Sequence, residues 1–182
     1  MNKETGFTLM ELMVTVAVAA ILLFVGVPTF QETINNNRLT SNANALVAAL
    51  NLARSEAIKR NTRVTLCKSA DGASCTAGGD YAQGWIVFAD PNANGAIDAG
   101  EPIIQVGQAL SGGLTLTGNG VGGVADSISY VSAGVSQSNG GGPQNGTLTL
   151  CKTGYTASSR QLVLTRGGRL RVEKAEPAVG CP

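Results

Sequence analysis

Along the chain the hydrophobic pattern passes through three regimes. Phe7 to Val27 is nearly unbroken apolar sequence, preceded by the short polar stretch Met1 to Gly6 and interrupted only near its start by Glu11. As a helix, a run of that length rises roughly 32 Å, enough to cross a bilayer core of about 30 Å. A secretory signal would have a shorter apolar core followed by a small-residue cleavage site. Here Gly6 comes before the apolar run, so cleavage after it would leave the run on the mature chain. A carboxylate inside a membrane segment costs about 2.5–3.5 kcal/mol on insertion scales, which marks Glu11 as functional. The plainer alternative is a first-turn acid near the interface, favoured by the helix dipole.

Pro28 stands where the apolar run ends and predicts a kink, because proline removes one helical hydrogen bond. From Phe30 to Arg60 the pattern is amphipathic. Leu39, Ala43, Leu46, Leu50, Ala53 and Ala57 recur at steps of four and three, forming one helix stripe, with Asn44, Asn51, Arg54, Glu56 and Lys59 off it. Beyond Asn61 short β-branched runs alternate with Gly/Asn/Asp/Ser clusters. Strands are expected over 63–68, 85–89, 103–106, 114–117, 127–131, 147–151, 161–165 and 169–172. The expected class is α+β: a long kinked N-terminal helix packed on an antiparallel β domain of two sheets. Its divisions are 1–6, a leader; 7–28, a transmembrane helix; 29–61, an amphipathic helix; and 62–182, a β-rich head. Residues 136–146 (SQSNGGGPQNG) have the composition of a flexible loop.

Composition narrows the chemistry. With no histidine, the chain has no His-based acid/base catalysis, no Ser-His or Cys-His pair and none of the commonest zinc ligand, which argues against an enzyme. Aromatics are only 4% and glycines number 24, which suits long turns better than a helical bundle. Cys67, Cys75, Cys151 and Cys181 allow three pairings. Spacing favours Cys67–Cys75, closing a short loop, and Cys151–Cys181, tying down the tail, if the head lies outside the cytoplasm.

The net charge of +1 conceals an asymmetry. Asp71, Asp80, Asp90, Asp98, Glu101 and Asp126 occupy a stretch without any Lys or Arg. Lys152, Arg160, Arg166, Arg169, Arg171 and Lys174 then follow against Glu173 alone, which points to an anionic partner or to ordinary solvent-facing charge. On a strand Arg169 and Arg171 share a face, Arg166 and Lys174 extend the patch, and Gly168 would let the backbone approach a duplex. Glu173 and Glu176 dilute it. Asp90-Pro-Asn-Ala-Asn-Gly-Ala-Ile-Asp-Ala-Gly-Glu101 has the offsets of a calcium loop, with Asp90, Asn92, Asn94, Asp98 and Glu101 as oxygen ligands around Gly95. Its flanks, Trp-Ile-Val-Phe and Ile-Ile-Gln-Val, are strand-like. The segment therefore reads first as a hairpin connection, with calcium the alternative and no other cofactor implied.

Gly6-Phe7-Thr8-Leu9-Met10-Glu11-Leu12 resembles the prepilin signature of type IV pilins and type II secretion pseudopilins. The resemblance implies cutting after Gly6 by a membrane prepilin peptidase and methylation of Phe7. It also implies that Glu11 neutralises the N-terminal amine of a neighbouring subunit, which offsets the cost of two charges in lipid. The segment from Asn51 to Cys67 resembles the helix-to-strand junction of the FimT/GspH group of minor pilins and pseudopilins, and the likeness extends to about Val106. Members of that group carry a similar D-x-N-x-N-G stretch as a hairpin connection. Gly168-Arg169-Leu170-Arg171 is similar to the G-R-x-R with which some FimT-type minor pilins bind DNA. Taken together, the resemblance implies a minor pilin made in the bacterial inner membrane with its head in the periplasm. It would then be built among major and minor pilins at a filament tip, binding double-stranded DNA without sequence preference for uptake in natural transformation. The alternatives are a priming minor pilin without DNA binding and a GspH-type pseudopilin of type II secretion.

Overall fold

A computed structural model of the protein describes residues 6–181. Helix α1 spans Leu9–Arg60, followed by strands β1 Val64–Lys68, β2 Trp85–Ala89, β3 Ile103–Gly107, β4 Leu114–Val121, β5 Ser127–Tyr130, β6 Asn145–Lys152, β7 Tyr155–Leu164 and β8 Leu170–Ala175. A 3-10 turn at Tyr81–Gln83 leads into β2. The chain falls into two compact units divided between Asn37 and Arg38.

The first unit contains the apolar part of α1. It is long and apolar enough to cross a membrane, and Leu9, Met10, Leu12, Met13, Ile21, Leu22 and Phe24 are all exposed along it. The helix continues through Pro28 without interruption, so the proline stays inside one helix rather than ending it.

In the second unit the predicted stripe is core. Leu39, Ala43, Leu46, Leu50, Ala53 and Ala57 are all buried, joined by Ala49. They pack with Val64, Leu66, Val87, Ile128 and Tyr130 of one sheet and Leu114, Leu116, Leu148, Leu150, Leu162 and Leu164 of the other in a single cluster. Burying a leucine of this kind contributes about 1.5–3 kcal/mol, so the stripe anchors the helix firmly. The alanines in it let the helix approach the sheets closely.

The sheets are ordered β3-β2-β1-β5 and β4-β6-β7-β8, antiparallel throughout. Strands β1 and β2 are buried on both faces, which explains why Trp-Ile-Val-Phe does not alternate. Their outer face carries a second small cluster of Cys67, Ile86 and Phe88, against which Cys75 and Ile97 pack. The disulfides are Cys67–Cys75 and Cys151–Cys181, the pairings that spacing favours.

All eight expected strands form, but β4, β6, β7 and β8 run longer than propensity suggests. Gly118, Asn119 and Gly120 stay in β4 because Leu148, Thr147 and Gly146 of β6 lie opposite them, so the ladder overrides weak local preference. The polar segment 136–146 differs more. It is pinned rather than free, with bridges Tyr130↔Ser136 and Gln137↔Pro143. Gln144 is buried, accepting from Ser129 N at 2.9 Å and donating to Gly122 O and Ser127 O at 2.8 Å. Arg63 donates to Gln137 O and Ser138 O, both at 3.1 Å. Side-chain amides and a guanidinium thus satisfy the backbone of a segment whose composition alone marks it as loose.

Candidate functional site

Gly6 and Phe7 lie exposed just ahead of α1, and residues 1–5 of the expected leader lie outside the described residues. Thr8 and Glu11 cap one another. The Thr8 hydroxyl accepts from Glu11 N at 3.2 Å, while Glu11 Oε2 accepts from Thr8 N at 3.2 Å and from the Thr8 hydroxyl at 3.0 Å. This is the reciprocal capping box of a T-x-x-E sequence, which satisfies backbone donors at the helix start. The pattern is visible in the sequence but is masked by the more conspicuous oddity of an acid in apolar surroundings.

The second region is the turn between β7 and β8. Leu164 pairs with Leu170, and between them Thr165 N donates to Arg169 O at 3.0 Å while Gly168 N donates to Thr165 O at 2.9 Å. Gly168 is buried at φ +72°. A Cβ there would stand 2.6 Å from Gly134 O and 2.9 Å from Tyr130 Cε1. The glycine is therefore required by the packing of the turn over Tyr130, not by access to a duplex, and it presents no surface to a partner. Burial pushes the Tyr130 hydroxyl above its ordinary range, with the nearby Arg54 charge opposing.

Arg54 of α1 reaches this turn, donating from Nη1 to Gly168 O at 3.3 Å and from Nη2 to Gly167 O at 3.2 Å. Asn51, Arg54, Thr165, Arg169, Leu170 and Arg171 line an open groove of about 500 Å³ between helix and turn. The structure thus brings Arg169 and Arg171 together, as strand alternation predicts, and adds Arg54, which the sequence marked only as off the stripe. Arg166 and Lys174 do not line the groove. Arg166 Nε donates to Asn145 Oδ1 at 3.4 Å, and Lys174, three residues from Arg171 and so on the opposite strand face, pairs with Glu176. Arg171 meets Glu173 at 2.6 Å, with the arginine exposed and the glutamate half-buried. Arg160 is buried and donates to Thr40 on α1 at 3.1 Å, so one base of the basic segment serves the interior.

The loop between β2 and β3 is closed by its own side chains. Buried Asp90 accepts from Asn94 N at 3.1 Å and Gly95 N at 3.2 Å, and Asp98 Oδ2 accepts from the amides of Asn92 and Asn94, both at 2.7 Å. Those donations, Asn92's first, hold the Asp98 carboxyl below the usual carboxylate range. Glu101 Oε2 accepts from Asp98 N at 2.9 Å. The segment connects two antiparallel strands as a hairpin, and Ile97 seats it on the outer cluster. Among the described residues no group of three or more His, Cys, Asp or Glu is placed to hold a metal.

A long helix packed through its second half on two antiparallel sheets, with a methylation-type N-terminus, is the pilin-like arrangement. It is shared in fold with the type IV minor pilin FimU of Pseudomonas aeruginosa PAO1, at 21% identity and TM-score 0.56 over 76% of this chain and 90% of that one. It is shared also with the minor pseudopilin EpsH from the type 2 secretion system of Vibrio cholerae, at 16% identity and TM-score 0.51 over 75% and 96%. The chain belongs to the GspH family, described as type II transport protein GspH, which it matches over residues 42–168, and residues 1–27 match the prokaryotic N-terminal methylation motif. The pilin-like protein PilA1 of Thermus thermophilus is 33% identical over 96 residues. That alignment takes in 53% of this chain, which spans about half (54%) of that relative's length.

Proposed function

We propose that this GspH-family protein is a minor pilin of a type IV pilus that binds double-stranded DNA through the groove beside the β7–β8 turn. The observation that carries the reading is the placement of Arg169 and Arg171 on one exposed groove. Arginine forks pair with phosphate oxygens, and a few such contacts give weak, salt-sensitive binding without sequence preference. That behaviour suits a filament subunit that takes up any DNA, with avidity from several sites.

In this reading a prepilin peptidase cuts between Gly6 and Phe7 and the new N-terminus is methylated. The apolar half of α1 holds the subunit in the inner membrane with its head in the periplasm, and it then packs among other pilins in the filament. Glu11 keeps an oxygen for the amine of a neighbouring subunit, while the capping box holds its carboxylate in place. A second reading, a structural minor pilin or a type II secretion pseudopilin without DNA binding, is favoured by the carboxylates of Glu173 and Glu176 beside Arg171 and Lys174.

The test is duplex binding by the full chain in non-ionic detergent across a salt series, beside Arg169→Gln/Arg171→Gln with an unchanged thermal midpoint. Under the DNA reading the parent binds unrelated sequences alike, and the variant binds weakly with a shallower slope of log affinity against log salt. Equal, negligible binding by both at low salt gives the structural reading instead.

A further inference from the structure

We propose that Arg54 is the positioning residue of the basic site, and that phosphate is received in the groove between α1 and the β7–β8 turn rather than on the open face of β8. The inference rests on the DNA-binding reading above and locates that contact. Gly167 and Gly168 immediately precede Arg169, and two adjacent glycines make the softest kind of turn. Arg54 grips both of their carbonyl oxygens, at 3.2 and 3.3 Å. It does so from a helix held rigid by Leu50, Ala53 and Ala57 in the core. The base of Arg169 is therefore ordered before any ligand arrives, and the ligand is spared that ordering cost.

The bonds depend on the shape of the guanidinium. Two nitrogens of one planar fork reach two successive carbonyls, whereas an ammonium would have to reach both from one atom on a more flexible stem. Both partners are neutral, so the positive charge of Arg54 remains on the helix wall of the groove. Arg169 and Arg171 line the same groove, Arg171 while also meeting Glu173, and a phosphate received there meets the charges of Arg54 and Arg169 first. The outer run of β8 offers less, because Glu176 engages Lys174 there and Glu173 competes for Arg171.

The test uses the full chain in non-ionic detergent with 30-base-pair duplexes of unrelated sequence, followed by fluorescence anisotropy across salt. Amide hydrogen exchange at Gly168 and Arg169 is measured alongside. Arg54→Lys keeps the charge and removes the fork. It is expected to weaken binding about tenfold at fixed salt, leave the salt slope at the parent's value, and speed exchange at those two amides.

Adding Gly167→Ala supplies a rescue. A Cβ at Gly167 meets nothing within 4 Å and its φ is ordinary, so alanine stiffens the turn without strain. The double variant is expected to regain about threefold of the lost affinity, by restricting the same turn in another way. The positioning role is overturned if Arg54→Lys binds within twofold of the parent, or binds weakly without faster exchange in the turn, or is not rescued by Gly167→Ala while its thermal midpoint is unchanged. A parent that binds no duplex overturns the DNA reading itself, whatever the Arg54 variants do, and the two failures are thereby told apart.

Discussion

Thr65 Oγ1 donates to Asp90 Oδ2 at 2.7 Å, joining the first half of β1 to the loop that leaves β2. Both residues are fully buried, and Ser129 Oγ of β5 lies 2.8 Å from the same hydroxyl. A polar link therefore runs from β5 across β1 and into a loop whose first residue is a carboxylate. Asp90 also accepts from Asn94 N and Gly95 N, so its side chain sets the conformation of the first half of the connection. Asp90→Ala should lower stability by about 2–4 kcal/mol, the cost of orphaning buried donors that had met a charged acceptor. Urea unfolding of the full chain in detergent measures it, and a loss below about 0.5 kcal/mol would show that the loop holds its shape without the carboxylate.

The same loop carries the calcium-like register. Asn92 and Asn94 turn their amide nitrogens toward Asp98, and both would have to present carbonyl oxygens instead to ligate a cation. As a hairpin connection, the loop is expected to leave the thermal midpoint unchanged in millimolar calcium. A rise that grows with calcium and is absent with Asp98→Ala would assign a binding site.

Gly168→Ala tests the glycine in the basic motif. Its φ of +72° and the close approach of Gly134 O leave no room for a methyl group. The expected cost is about 1–3 kcal/mol, together with local rearrangement of the turn. Arg169→Gln, by contrast, should leave the thermal midpoint within about a degree, because that side chain is exposed. Equal thermal effects from the two would mean that the turn does not depend on the packing over Tyr130.

The two disulfides close loops of different length, with sequence separations of 8 for Cys67–Cys75 and 30 for Cys151–Cys181. Chain entropy makes the longer one more stabilising by about 1 kcal/mol. The longer bridge also holds the tail, where Ala178 N donates to Thr156 O at 2.9 Å. Paired Cys→Ser variants unfolded in urea should keep that order. The reverse order would place the larger constraint in the Cys67–Cys75 loop.

Stability should be flat between about pH 5.5 and 8, since no histidine is present to titrate there. It should fall as the pH drops further. Asp71 is held well below the usual carboxylate range, first by donation from the Ser74 hydroxyl and then by the N–H groups of Ala73 and Ser74. Glu56 is lowered by Arg60, and Asp98 by Asn92 and Asn94. With folded values depressed, the unfolded chain takes up protons first, so the contribution is complete above the ordinary carboxylate range and is lost as pH falls through the folded values. Thermal midpoints from pH 7 down to pH 3 measure this, and Asp71→Asn should flatten the acid side of the curve. An unchanged acid slope in that variant would assign the loss to other carboxylates.

Most of the architecture is legible in the order of residues, because it rests on periods that neighbouring positions express. A run of apolar side chains from Phe7 to Val27 is a membrane-length helix by arithmetic. The stripe from Leu39 to Ala57 has one helical face, and every member of it is buried. Each expected strand exists, and the prepilin-like start and the cysteine spacing are local patterns. What required the tertiary structure depends on partners distant in the chain. Arg54 and Gly168 are 114 positions apart, and nothing near either one announces the bond between them. Segment 136–146 has the composition of a loose loop and is ordered by Arg63 from the start of β1. Arg160 belongs by sequence to a basic cluster and by structure to the interior, where it reaches Thr40 of α1. Local sequence expresses propensity and period, whereas long-range hydrogen bonds and the burial of a charge such as Arg160 are settled only when the sheets and α1 close on one another.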